Sequence, residues 1–146
     1  MQLRVLVIQD HPLLGSTIAS ILEAEEDMSV CGIARTGADA LAIATREKPH
    51  VVLMDVRMPD MTGAAVAAAI RARIPGVAIV FHSAEDSETA LLDAIDAGAT
   101  AFLARSATTS SQIVDAVRRA ARGEWLIPVS VVGKALARRK TRGQGD

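Results

Sequence analysis

The chain alternates short apolar runs with segments whose apolar residues recur at helical spacing. Four of the runs close on residues suited to phosphate or metal: "LRVLVIQD" at Asp10, "VVLMD" at Asp55, "VAIVFHS" at Ser83 and "AFLAR" at Arg105. Continuous runs this short fit strands of a parallel sheet covered on both faces. The pattern predicts a first strand at about Arg4–Gln9, then a helix opening at Pro12 with Leu14, Ile18, Ile21 and Leu22 on one face. A second strand is expected over Ser29–Ala34, and a helix from Ala38 to Glu47 stops before Pro49. The third strand is Val51–Asp55, followed by a helix from about Gly63 to Arg73. Pro75–Gly76 marks the return into a fourth strand, Ala78–Ser83. Glu85, Asp86 and Glu88 are expected to open the fourth helix and Gly98 to end it. Thr100–Ala104 reads as the fifth strand, and Ser110 or Ser111 as the cap of a last helix carrying Ile113, Val114, Val117 and Ala121. This alternation predicts a doubly wound α/β domain.

In such sheets the carboxyl ends of the strands share one edge, and ligands bind there. Asp10, Asp55, Ser83 and Arg105 are therefore expected to meet. A hard cation such as Mg²⁺ takes oxygen ligands, and Asp10, Asp55 and the backbone carbonyl of Arg57 can supply them. The Asp55 carboxylate is also a candidate nucleophile toward phosphorus, forming an acyl phosphate. Ser83 and Arg105 are suited to hold the phosphoryl oxygens while charge develops.

Composition narrows the choices. With 146 residues, half of them apolar and only Phe81, Phe102 and Trp125 aromatic, the chain suits one domain with a small-side-chain core and a short appendage. A net charge of −1 gives no global attraction to nucleic acid or to an anionic membrane. No apolar stretch reaches the ~18 residues of a spanning helix. The N-terminus enters a strand directly without a basic leader, so a cytoplasmic location is expected. Cys31 is the sole cysteine, which removes disulfides, and it is expected to be a small buried residue on the second strand.

From about Leu3 to Gly123 the chain resembles the receiver domain of a bacterial two-component response regulator. Asp55 within "MDVRMPDMTG" resembles the phosphoacceptor segment, Ser83–Ala84 the small hydroxyl position after the fourth strand, and Phe102 in "GATAFLAR" the aromatic switch. "DHPLL" and "RGEWLIP" resemble the NarL/FixJ subfamily, whose members usually carry a LuxR-type helix-turn-helix domain. The resemblance implies a flavodoxin-like five-stranded parallel sheet of order 2-1-3-4-5 with helices on both faces. It also implies phosphorylation of Asp55 by a sensor histidine kinase with Mg²⁺, Ser83 and Phe102 as switch residues, a homodimer, and control of transcription. DNA contact would come only through an effector domain outside this chain, and no membrane partner is implied. Two positions depart from the family. Gln9 stands where the first of two acidic residues is usual, which is expected to weaken Mg²⁺ binding by roughly 1–3 kcal/mol. Arg105 stands where lysine is usual; its planar fork can bind a phosphoryl oxygen or pair with Asp55 at rest.

The expected organisation is a receiver over residues 1–123 and an extension over 124–146, a fragment of a longer regulator or a stand-alone receiver. The extension carries Lys134, Arg138, Arg139, Lys140 and Arg142, read as a solvated linker. One alternative is an atypical receiver that is not phosphorylated and serves dimerisation or a partner. Another is a small phosphohydrolase or nucleotide-binding enzyme. Against the latter, Arg57 occupies the place of a second acid after Asp55, and no phosphate-binding glycine motif follows the first strand. His11 is expected to close the strand–helix turn, His82 to be a half-buried structural imidazole, and Asp60 to be a turn residue. Met54, Met58 and Met61 are expected to pack.

Overall fold

In a computed structural model that describes residues 2–84, 88–127, 133, 136 and 137, the apolar runs become five strands. They are β1 (Leu3–Ile8), β2 (Met28–Ala34), β3 (Val51–Met54), β4 (Ala78–Ser83) and β5 (Ala101–Ala104). The helices between and after them are α1 (Pro12–Glu23), α2 (Gly37–Glu47), α3 (Gly63–Arg73), α4 (Glu88–Asp96) and α5 (Ser110–Ala121). All ladder pairings are parallel, and the sheet order is β2-β1-β3-β4-β5. The strand order reverses between β1 and β3, which fixes the crevice beyond their carboxyl ends as the place for a ligand.

Strand alternation sorts the core into two layers. Leu6, Ile8, Val52, Met54, Ile79 and Phe81 face α2, α3 and α4. Val5, Val7, Leu53 and Val80 face α1 and α5, where Ile18, Leu22, Ile113 and Val117 meet them. Each such side chain contributes about 1.5–3 kcal/mol by leaving water, which drives the helices onto both faces of the hydrogen-bonded sheet. The site residues are anchored at the rim of this rigid platform.

Several boundaries differ from the sequence reading. β1 and β3 stop at Ile8 and Met54, one residue before Gln9 and Asp55. The N–H groups of Gln9 and Asp55 still donate to Ala34 and Ile8 (2.8 and 3.2 Å), and just beyond the strand ends the Gln9 amide meets the Asp55 carboxylate. β2 and α2 each begin one residue earlier than expected, at Met28 and Gly37, and β5 one later, at Ala101. α5 is capped by Thr109 rather than Ser110 or Ser111, because Gln112 completes a reciprocal box: Thr109 N–H donates to its Oε1 at 2.8 Å. Cys31 is partly exposed and lies against the core, not buried within it. Gly98 has φ +91°, the left-handed conformation of a helix-terminating glycine. Glu85 and Asp86, and the basic residues Lys134, Arg138, Arg139, Lys140 and Arg142, lie outside the described residues.

After α5 the chain returns along the open edge of β5. Leu126 N–H donates to the Thr100 carbonyl at 2.9 Å, Trp125 Nε1 donates to Ala99 at 3.2 Å, and Ile127 is buried in the first core layer. This covers an edge that would otherwise offer unpaired backbone groups. Among the described residues no helix is long and apolar enough to cross a membrane.

Gly63 sets the loop after β3. Its N–H donates to Val56 at 2.7 Å, and a Cβ there would lie 2.5 Å from the Val56 oxygen and 2.6 Å from that of Asp55. Those neighbours are backbone and cannot swing aside. Gly63→Ala is expected to cost about 1–3 kcal/mol and to displace the segment bearing Asp55, read as a lower melting temperature.

Candidate phosphoacceptor site

Asp55 follows directly on a fully buried strand, and its side chain is only 14% exposed. Four donors converge on its carboxylate. Oδ1 accepts from the Ser83 hydroxyl at 2.9 Å and, at the long limit of 3.5 Å, from the Arg57 N–H. Oδ2 accepts from Arg105 Nη2 at 2.8 Å and from Gln9 Nε2 at 3.3 Å. Ser83 is at the end of β4, and Arg105 begins a single 3-10 turn immediately after β5. Residues at the ends of β1, β4 and β5, up to 50 residues from Asp55 in sequence, therefore hold one carboxylate. Hydrogen bonds and a cation stand in for the water that burial removes from this carboxylate.

A crevice of about 420 Å³ opens over it, lined by Asp10, Asp55, Arg57, Ser83 and Ala84. It thus brings together Asp10, Asp55 and Ser83, three of the four strand-end residues that the sequence singles out, while Arg105 joins the site through its ion pair with Asp55 and does not line the crevice. Asp10, Asp55 and the carbonyl of Arg57 make an oxygen set of the kind that fits Mg²⁺. Among the described residues no cluster of three or more His, Cys, Asp or Glu side chains exists, so the set rests on a carboxylate pair. Gln9 is engaged at both ends of its amide. Its Oε1 accepts the backbone N–H of His11 at 3.2 Å, which an amide nitrogen cannot do. That contact fixes the amide so that its N–H faces Asp55. Gln9 is 3% exposed and donates to the carboxylate.

Other residues fall into supporting places. His11 caps α1, its Nδ1 accepting from Leu14 N–H at 3.3 Å, in keeping with its turn-closing reading. Met54 is buried and Met58 and Met61 pack against the same core layer. Phe102 stacks on Phe81 with ring centroids 6.2 Å apart. His82 is buried at 4% exposure, not half-buried, and its ring is held below its ordinary pKa by burial, then by Arg105, against an opposing effect of Asp55.

Asp60 is more than the turn residue its sequence context suggests. Its carboxylate accepts from Gly37 N–H at 2.7 Å and Ala38 N–H at 3.1 Å, the first turn of α2, and these bonds hold its pKa below the ordinary value. It ties the loop that follows Asp55 to a helix 23 residues away, and only the pattern of unsatisfied N–H groups at α2 would have pointed to it. Asp60→Ala is expected to release that tether. The result is faster amide exchange over Met58–Thr62 and at Gly37–Ala38, with the sheet unaffected.

The chain is similar to proteins of one family. The profile for the response regulator receiver domain matches residues 5–118. YxjL, a transcriptional regulatory protein of Bacillus subtilis, is 35% identical over 136 residues, 93% of this chain and 62% of YxjL. VraR, a response regulator of Staphylococcus epidermidis, is 31% identical over 144 residues, 99% of this chain and 68% of VraR. The chain thus spans about two thirds of each of these relatives. Among solved structures, the signal receiver domain of the response regulator NarL from Mycobacterium tuberculosis superposes with a TM-score of 0.79 at 36% identity. That match covers 84% of this chain and 98% of that one. Receiver domains of this family are typically signalling modules rather than enzymes, and they generally bind Mg²⁺ at an acidic pocket. With the strand order, the sheltered aspartate and these matches in agreement, the chain belongs to the response regulator receiver domain family, of the NarL/LuxR type.

Proposed function

We propose that Asp55 accepts a phosphoryl group from the phosphohistidine of a sensor histidine kinase. One Asp55 oxygen attacks phosphorus, the P–N bond breaks, and its electron pair leaves with the imidazole nitrogen, giving an acyl phosphate. The convergence of Ser83, Arg105, Gln9 and the Arg57 N–H on one sheltered carboxylate carries this reading. Asp10, Asp55 and the Arg57 carbonyl would hold Mg²⁺, which when bound neutralises charge between carboxylate and phosphoryl oxygens. Arg105 has to leave Asp55 for a phosphoryl oxygen, while the Ser83 hydroxyl changes partner from carboxylate to phosphate.

Loss of the Arg105 contact and movement of Ser83 would alter the loop after β4 and the stack of Phe81 on Phe102, biasing the α4–β5–α5 surface toward homodimerisation. Residues 1–123 are the receiver in this reading, and 124–146 lead toward an effector. The relatives YxjL and VraR are a transcriptional regulatory protein and a response regulator of greater length. We place DNA binding and transcriptional control in the part of such proteins that this chain does not span, and the receiver's work in the cytoplasm where kinases present phosphohistidine. The test is incubation with acetyl phosphate and Mg²⁺ followed by intact mass. Wild type gains one phosphoryl group and Asp55→Asn gains none; equal gain by both would place the acceptor elsewhere.

A further inference from the structure

Among the described residues, two buried side-chain polar atoms have no hydrogen-bond partner: Nδ1 of His82 and Nε of Arg105. Leaving a buried polar atom unmatched is costly, so two in one neighbourhood call for a cause. They are chemically complementary. The guanidinium Nε–H can only donate, and Nδ1 of a neutral imidazole accepts when the proton sits on Nε2. They are also close in the fold. His82 pairs with Leu103 across β4 and β5, Arg105 follows Leu103 by two residues, and Arg105 and Asp55 are the charged groups that act on the imidazole.

At rest the Arg105 fork is fixed from one side, by Nη2 on Asp55. A lysine ammonium is a point charge that needs a position, whereas a planar fork also needs an orientation. When the guanidinium leaves the carboxylate, its side of the plane must be held by something else. His82, between Phe81 and the switch residue Ser83, is placed to do it.

We propose that His82 is a positioning residue for Arg105, its Nδ1 accepting the Arg105 Nε–H when the guanidinium turns from Asp55 to a phosphoryl oxygen. This rests on the reading of Asp55 as phosphoacceptor. The imidazole takes no part in the transfer itself; it sets the plane in which Arg105 meets the phosphoryl group. A lysine side chain in place of Arg105 would have no Nε–H for His82 to hold, so the two residues function as a pair.

The test uses the ¹⁵N-labelled full chain with Mg²⁺ and beryllofluoride. Bound mimic, observed by ¹⁹F resonances, is expected to shift the Arg105 Nε–H downfield, slow its exchange with water, and place the His82 proton on Nε2. A bound mimic with both side chains unchanged overturns the role of His82 and leaves Asp55 as acceptor. No bound mimic at any Mg²⁺ concentration overturns both readings. Variants give a second measure through the acetyl phosphate rate. His82→Leu is expected to slow modification about tenfold, the equivalent of one lost hydrogen bond, while His82→Gln, which keeps an acceptor, stays within about threefold. In an Arg105→Lys background His82→Leu should have no further effect. Equal loss in the His82→Leu and His82→Gln variants, or an undiminished effect of His82→Leu in the Arg105→Lys background, contradicts the pairing.

Discussion

Arg105→Ala is expected to slow phosphoryl uptake by Asp55 from acetyl phosphate about 100-fold, with the chain still folded. The guanidinium is hydrogen-bonded to the carboxylate at 2.8 Å, with side-chain exposures of 30% and 14% for the two partners. Removing a fixed donor from a site where charge develops on oxygen typically costs about two to three orders of magnitude. The effect on stability is smaller. Ser83, Gln9 and the Arg57 N–H still donate to Asp55, so the carboxylate is not orphaned. A loss of about 1–2 kcal/mol is expected, below that for a fully buried pair broken on one side. Time courses by intact mass, together with a thermal melt, separate the two effects. An Arg105→Ala variant as fast as wild type would remove the guanidinium from the chemistry.

Gln9→Glu is expected to act on the metal and on stability with opposite signs. The two side chains share one shape, so the change adds a negative charge beside Asp55 and deletes the amide donor to its Oδ2. With Mg²⁺ the added charge should raise affinity by roughly 1–3 kcal/mol, about five- to 150-fold, after desolvation is offset. Without Mg²⁺ the same charge repels Asp55, and the introduced carboxylate has no N–H to donate to it. The variant should therefore melt below wild type in chelator and recover as Mg²⁺ is added. Calorimetric titration and paired melts measure both halves. Unchanged Mg²⁺ affinity would mean that the cation is held away from Gln9.

Which parts of this site are legible in the chain follows from how each residue is placed. Asp55, Ser83 and Arg105 stand at the ends of apolar runs, and the parallel sheet brings such ends to one rim whatever the details of packing. The bond from Gln9 to Asp55 is not legible, because the direction of the amide depends on the His11 N–H, a contact made only once the turn is formed. Asp60 reads as a turn residue because its partners at Gly37 and Ala38 are distant in sequence. The Thr109 cap is signalled by Gln112 three residues on, although the adjacent serines compete for the same role. The burial of His82 exceeds expectation because β4 is covered on both faces to its last residue, whereas most polar side chains at a strand end escape to solvent. The departures at Gln9 and Arg105 are compatible in charge: one carboxylate fewer beside Asp55, with the cation paired to Asp55 retained.

The most direct measurement is ¹⁹F NMR of the chain with beryllofluoride and saturating Mg²⁺. Resonances of a tightly held fluoroberyllate in the wild type, absent from Asp55→Asn, are the result predicted for a phosphoacceptor carboxylate cradled by Ser83 and Arg105. A wild-type spectrum showing only free fluoroberyllate species would contradict that account.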